Sequence, residues 1–263
     1  MELSGTRVLV TGASRGIGEC TARVMAEAGA RVALVARSGE RLAKLAAELG
    51  GDAYPTDLAD SAAVADLFAR VEADGPVDVV VNNAGVDLTG RFVDTDPAAI
   101  EMLFQVNLIA PTELCRQALG RMVPRRRGHI VNVSSLAGVS AVPGLVPYSA
   151  SKAGLSQLTA ALRAETKGTG IGVTLVELGP VITEMLDDVH SYGPTRRCFA
   201  RGERLGVITD IDAGAVARAI VEAVRRDRRH VRLPRRSSAL MLLGELPRRL
   251  TEIILTGVDH HRA

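Results

Sequence analysis

Short runs of aliphatic and β-branched residues alternate with longer segments of helical period almost from one end of the chain to the other. RVLVTG, RVALVAR, DAYPTD, VDVVVNNAG, GHIVNVSS, GVTLVELGP and RHVRLP read as seven strands. Their apolar positions are nearly continuous rather than alternating, the pattern of parallel strands covered on both faces. Between them, residues 16–29, 39–49, 60–74, 97–122, 147–168 and 211–226 carry apolar side chains at helical spacing, each with one face to bury. Such alternation implies right-handed βαβ crossovers. The pattern predicts an α/β, doubly wound fold: a seven-stranded, mostly parallel sheet with helices on both faces. No linker, repeat or low-complexity tract divides residues 1–263, so they read as one domain.

Two segments break the alternation. Residues 181–210 form a polar insertion after the sixth strand, interrupted by Gly193-Pro194, and long insertions at that place commonly serve as lids. Residues 237–258 approximate an amphipathic helix broken at Pro247, with Leu243, Leu246, Leu250 and Ile254 on its apolar stripe and Arg248 and Arg249 beside it. That segment is expected to cap a pocket, pack on a subunit or touch lipid peripherally.

Composition narrows the function. A chain of 263 residues suffices for one large domain with an ample core. A net charge of +2, 3% aromatics and no Trp argue against nucleic acid as a partner. Cys20, Cys115 and Cys198 lie far apart and are odd in number, which suits reduced thiols rather than a disulfide framework or a zinc site. The N-terminal apolar run is only a strand long, and no stretch has the length of a transmembrane span. A cytoplasmic location is expected.

The turn Thr11-Gly12-Ala13-Ser14-Arg15-Gly16-Ile17-Gly18 lies between the first strand and the first helix. Glycines there let backbone approach a pyrophosphate, which rests on the unpaired N–H groups and positive dipole of a helix N-terminus. The second strand ends Val35-Ala36-Arg37, with Ala36 where an acidic residue would bond the 2′-hydroxyl of NAD. Arg37 and Arg15 suit a 2′-phosphate instead, so NADP(H) is the expected cofactor. Asp57 and Leu58, after the third strand, are placed to meet the adenine ring, although Asp57 could equally cap the next helix.

With this loop, Asn82-Asn83-Ala84-Gly85, Asn107, Ser135, and Tyr148 with Lys152, the chain resembles the short-chain dehydrogenase/reductase family from about residue 5 to residue 185. Spacings of 28, 13 and 4 residues along Asn107, Ser135, Tyr148 and Lys152 match the family's catalytic tetrad. The resemblance implies a Rossmann-like fold, cofactor contacts from Asn83, Ala84, Gly85 and Thr183, and carbonyl–alcohol chemistry without a metal. A carbonyl reduced by hydride needs a proton donor for its oxygen and a hydrogen bond to it in the transition state. Tyr148 would be the proton donor and Ser135 the hydrogen-bond donor. Ser134 competes for that role, but adjacent strand side chains point to opposite faces and the spacing favours Ser135. Lys152 is one of only three lysines. It lies one helical turn beyond Tyr148, where its ammonium would lower the phenol pKa and reach the nicotinamide ribose.

Pro111 cannot donate to the carbonyl of Asn107, so a kink is expected there. The family assigns that freed carbonyl a proton-relaying water; alternatively, Asn107 only bonds neighbouring backbone. After the sixth strand, Leu178 replaces the family's usual proline, and the C-terminus lacks the glycine-rich ending of 3-oxoacyl carrier-protein reductases. The expected substrate is a lipophilic ketone or aldehyde or its alcohol, and the expected assembly a homodimer or homotetramer. The alternatives are 3-oxoacyl thioester reduction and a non-catalytic NADP(H)-binding scaffold.

Overall fold

A computed structural model describes residues 1–140, 142–204, 206 and 209–234. The strands are β1 (Arg7–Thr11), β2 (Arg31–Ala36), β3 (Asp52–Pro55), β4 (Val79–Asn82), β5 (Gly128–Ser135), β6 (Ile171–Leu178) and β7 (His230–Leu233). They form one sheet in the order β3-β2-β1-β4-β5-β6-β7. Every pairing is parallel, so the expected mostly parallel sheet is a fully parallel one.

Neighbouring residues of a strand bury on opposite faces, which explains the continuous apolar runs. Val8 and Val10 join one core with Met25 of α1 (Gly16–Glu27), Leu42 of α2 (Gly39–Leu49) and Ile220 of α9 (Ala213–Arg225). Leu9 joins the other, with Phe68 of α3 (Ser61–Glu72) and Leu114 of α5 (Ala110–Arg125). The chain runs outward from β1 in one direction and from β4 in the other. A crevice therefore opens at the carboxyl ends of β1 and β4, the usual ligand position in open α/β sheets.

Residues 97–122 are not one helix. α4 (Pro97–Phe104) passes through a π-turn, Gln105–Ile109, into α5. The N–H of Ala110 reaches back to the carbonyl of Gln105. Pro111 lacks the N–H that would serve Asn107, and the helix accommodates that gap as a widened turn rather than a simple kink.

The insertion is also more ordered than a polar loop. It holds α7 (Glu184–His190) and α8 (Gly193–Arg204), which follow α6 (Val146–Glu165) and β6 in the chain. Its ends are joined: Ile182 N–H donates to the Ile211 carbonyl at 3.0 Å, and Ile211 N–H to the Pro180 carbonyl at 3.0 Å. The amphipathic segment at 237–258 lies outside the described residues. Among the described residues no helix is long and apolar enough to cross a membrane.

Candidate active site

The glycine turn is a cradle that side chains would fill. Gly12 and Gly16 have φ of 66° and 58°, the left-handed region that favours glycine. A Cβ on Gly12 would stand 2.9 Å from the Ala84 Cα, and one on Gly18 only 2.1 Å from the Gly12 carbonyl oxygen. The Thr11 hydroxyl accepts from the N–H groups of Asn83 and Ala84, both at 3.0 Å, and Asn83 Nδ2 donates to the Thr11 carbonyl at 3.0 Å. These bonds lock the ends of β1 and β4 together beneath the N-terminus of α1. Across the groove, Thr183 Cγ2 would lie 3.2 Å from a Cβ on Gly16, so the predicted loop and Thr183 form opposite lips.

These lips enclose one end of a cavity of about 1200 Å³. Gly12, Ser14, Arg15, Gly16, Ile17, Arg37, Asp57, Leu58, Asn83, Ala84 and Gly85 all line it; Gly18 does not. Gly18 acts behind the loop, where its bare Cα permits the close packing just described. Asp57 is not the cap of α3, a role taken by Asp60; it accepts from the Ala59 N–H at 3.0 Å. Arg15 is engaged in an ion pair with Glu184, the first residue of α7. Ser38 and Arg41 also line the adenosine end and were not anticipated. Arg41 stands in the first turn of α2, four residues beyond Arg37.

Three of the four tetrad side chains meet at the middle of the cavity, on β5 and α6. The Ser135 hydroxyl donates to the Leu178 carbonyl at 3.3 Å and accepts from the Ala137 N–H at 3.1 Å. Ser134 turns away: its hydroxyl donates to the Lys152 carbonyl at 2.9 Å and pairs with Ser156 at 2.8 Å. Ser156 in turn meets Glu177, fully buried on β6, which His230 bonds at 2.8 Å and Arg232 at 2.9 Å. Burial alone would raise the Glu177 pKa, but these partners outweigh it and hold the carboxyl below its ordinary range.

Asn107 is completely buried at the π-turn. Its side chain accepts from Val86 N–H at 2.9 Å and donates to the Val86 carbonyl at 2.8 Å and to Ser151 at 3.1 Å. Those bonds fasten the segment after β4 to α6. The Asn107 side chain thus bonds the Val86 backbone and the Ser151 hydroxyl, while the relay expected of this position concerns its backbone carbonyl.

One electrostatic expectation is corrected. In this geometry burial, rather than the Lys152 charge, sets the direction of the Tyr148 pKa. Burial pushes the phenol up to about 12; the nearby Ser135 hydroxyl opposes this, and the Asp87 charge adds to it. Burial brings Lys152 down to about 8. Its Nζ donates to the Val133 carbonyl at 3.0 Å and stands 5.8 Å from the centre of the Tyr148 ring. The ammonium is spent on backbone, so loss of solvation dominates both groups.

The far end of the cavity is apolar, walled by Val106, Leu145, Met185, Leu186, Val189 and Phe199. Four of these six come from the insertion, which therefore forms part of the cavity wall.

The parallel sheet, the glycine cradle at its crevice and the Ser–Tyr–Lys cluster define an α/β oxidoreductase of the dinucleotide-binding type. Residues 6–192 match the family described as short chain dehydrogenase. The chain belongs to the short-chain dehydrogenase/reductase family. It is 38% identical over 230 residues to a ketoacyl reductase, HetN, of Nostoc sp., covering 85% of this chain and 76% of that protein. A short-chain dehydrogenase from Sphingobium yanoikuyae, solved in complex with NADPH, is 26% identical with a TM-score of 0.80, covering 98% of both chains. An actinorhodin polyketide ketoreductase solved with NADPH is 30% identical with a TM-score of 0.79, covering 87% of this chain and 95% of that one.

Proposed function

We propose that the protein is an NADP(H)-dependent oxidoreductase that interconverts a lipophilic ketone or aldehyde and its alcohol. The observation that carries this reading is one continuous cavity. It runs from the glycine cradle, past Ser135, Tyr148 and Lys152, to walls of aliphatic and aromatic side chains. The Gly12 and Gly16 conformations fit a pyrophosphate, and Arg37 and Arg41 at the adenosine end fit a 2′-phosphate. NADP-type relatives of this fold support that choice.

NADPH, when bound, supplies the hydride. Gly12, Ser14, Arg15, Gly16, Ile17, Asp57, Leu58, Asn83, Ala84, Gly85 and Thr183 would hold it along the crevice. Ser135 donates a hydrogen bond to the substrate oxygen and polarises the carbonyl. Tyr148 delivers the proton to that oxygen as negative charge develops on it. Lys152 holds the ribose and keeps positive charge near the phenol, and the Asn107 carbonyl is the candidate anchor of a relay water. The lid excludes bulk water from the reacting atoms.

Loss of NADPH absorbance with a panel of bulky apolar ketones tests the proposal, and turnover that vanishes in Tyr148→Phe is the expected result. Tight NADPH binding with no turnover across the panel would favour a scaffold. The panel includes a 3-oxoacyl thioester, because the ketoacyl reductase relative supports that second reading. A thioester reduced far faster than simple ketones would establish it.

The reading extends to assembly and location. Ile109 at the π-turn and Val146 on α6 are 50% and 47% exposed, apolar surface of the kind that a second copy would cover. A homodimer or homotetramer is expected, and light scattering at micromolar concentration checks it; a monomer would contradict it. Cys20, Cys115 and Cys198 are all free thiols, in keeping with the cytoplasm.

A further inference from the structure

Helix α8 reads GPTRRCFARGER, and its two sides differ in kind. Thr195 is fully buried, while Cys198 and Phe199 line the cavity. At about 100° per residue, Arg197, Arg201 and Arg204 fall on one stripe on the opposite side, with Arg196 at its margin. All four arginines are exposed. Arg204 Nε donates to the Ala200 carbonyl of its own helix, and none of the four meets a carboxylate among the described residues. Among other exposed arginines, Arg31 pairs with Asp52 and Arg116 with Glu113, while Arg37 and Arg41 meet no carboxylate among the described residues. Clustered like charge destabilises a helix, and Glu203 is the one acid in α8 set against its four arginines.

Through its buried side the helix is also linked to a segment that leads to exposed apolar side chains. Thr195 Oγ1 donates to the Pro143 carbonyl at 2.9 Å, and Gly90 N–H to the Gly144 carbonyl at 3.0 Å. A Cβ on Gly144 would lie 2.2 Å from Thr195 Oγ1, so the lid and this segment are in close contact. Just beyond Gly90, Phe92 and Val93 are 57% and 77% exposed. Ile182, at the base of the lid, is 64% exposed.

We infer that the arginine face of α8 docks on an anionic membrane surface, with Phe92 and Val93 entering the headgroup region, and that the cavity draws its substrate from that surface. Guanidinium groups bind phosphate through paired N–H donors. A row of them along roughly 10 Å of helix suits a fluid field of headgroups. Scattered apolar side chains insert into a bilayer without needing the matched shape that a folded acidic protein would require. The inference rests on the proposed lipophilic substrate, which would partition into the bilayer and enter beneath a lid whose inner face is apolar.

The test is co-sedimentation of the full chain with vesicles of phosphatidylglycerol and phosphatidylcholine in equal parts, without substrate. Binding is expected at low ionic strength, with release near about 0.5 M salt, where screening acts over about 4 Å. Little binding to pure phosphatidylcholine is expected. Each arginine at an anionic surface contributes about fivefold, so Arg197→Glu/Arg201→Glu/Arg204→Glu should weaken binding by more than about tenfold. The same variant should still reduce a water-soluble ketone at the parent rate. Phe92→Ser/Val93→Ser should weaken binding without changing its salt dependence. Equal affinity for both vesicle types overturns the inference. So does a triple arginine variant that binds like the parent, or capture of an acidic protein where vesicles are ignored. A chain that reduces ketones yet ignores vesicles removes the docking surface and leaves the reductase; one that binds vesicles and reduces nothing does the reverse.

Discussion

Lys152→Arg is expected to lower kcat by about 10²- to 10⁴-fold, although the formal charge is kept. Lys152 is 4% exposed, bonded through Nζ to the Val133 carbonyl, and a Cβ on Gly85 would come within 3.3 Å of that nitrogen. A compact ammonium fits this slot; a planar guanidinium would have to displace Gly85, the Tyr148 ring or the ribose. The loss should therefore fall on kcat and on NADPH affinity together, with folding unchanged by circular dichroism. The pH profile separates shape from charge. Burial holds Lys152 down to about 8, so the ammonium is intact below that pH and is lost as pH rises through it. Reduction by the parent should decline across that window. The arginine variant should show no such limb, because a guanidinium stays charged there. A variant that keeps the parent's kcat and its alkaline limb would show that charge alone suffices.

Ala36→Asp with Arg37→Ala should turn cofactor preference from NADP(H) toward NAD(H). Ala36 ends β2 and, with Arg37, lines the adenosine end of the cavity. Removing the guanidinium deletes a charge-assisted hydrogen bond to a 2′-phosphate, and the new carboxylate repels that phosphate while accepting from a free 2′-hydroxyl. Each charge-assisted bond is worth roughly 1.5–3 kcal/mol, so NADPH affinity should fall at least about tenfold. Arg41, left in place, sets the residual affinity. Titration of both cofactors by fluorescence checks this. Equal affinity of the parent for NADPH and NADH would remove the premise.

Much of the fold was legible because buried parallel strands leave a coarse signature. α2 was anticipated at its observed bounds, residues 39–49. The crevice residues were legible for another reason: Gly12, Gly16 and Gly18 answer to backbone geometry that one residue type satisfies. What escaped depended on three dimensions. The engagement of Arg15 by Glu184 joins residues 169 apart in the chain. The Tyr148 and Lys152 protonation states depend on how far each is removed from water, and the i, i+4 spacing carries no information on that. The helices of the insertion were hidden because α7 is only seven residues long and α8 opens on Gly193-Pro194, which reads as a break. At the π-turn the chain showed the cause, Pro111, without showing the form that its accommodation takes.

The paired backbone bonds between Ile182, Ile211 and Pro180 make the lid a closed excursion that leaves and rejoins the sheet at one point. Closing a loop whose ends are already joined depends only weakly on its length, about 0.6 kcal/mol for each doubling. The segment between those ends can lengthen, shorten or be exchanged with little consequence for the sheet, while the cradle and the Ser–Tyr–Lys cluster stay where the strands put them. Evolution therefore has a detachable part: new substrate ranges, or new surfaces on which to meet substrate, can be tried on the lid without disturbing the machinery that handles hydride and proton.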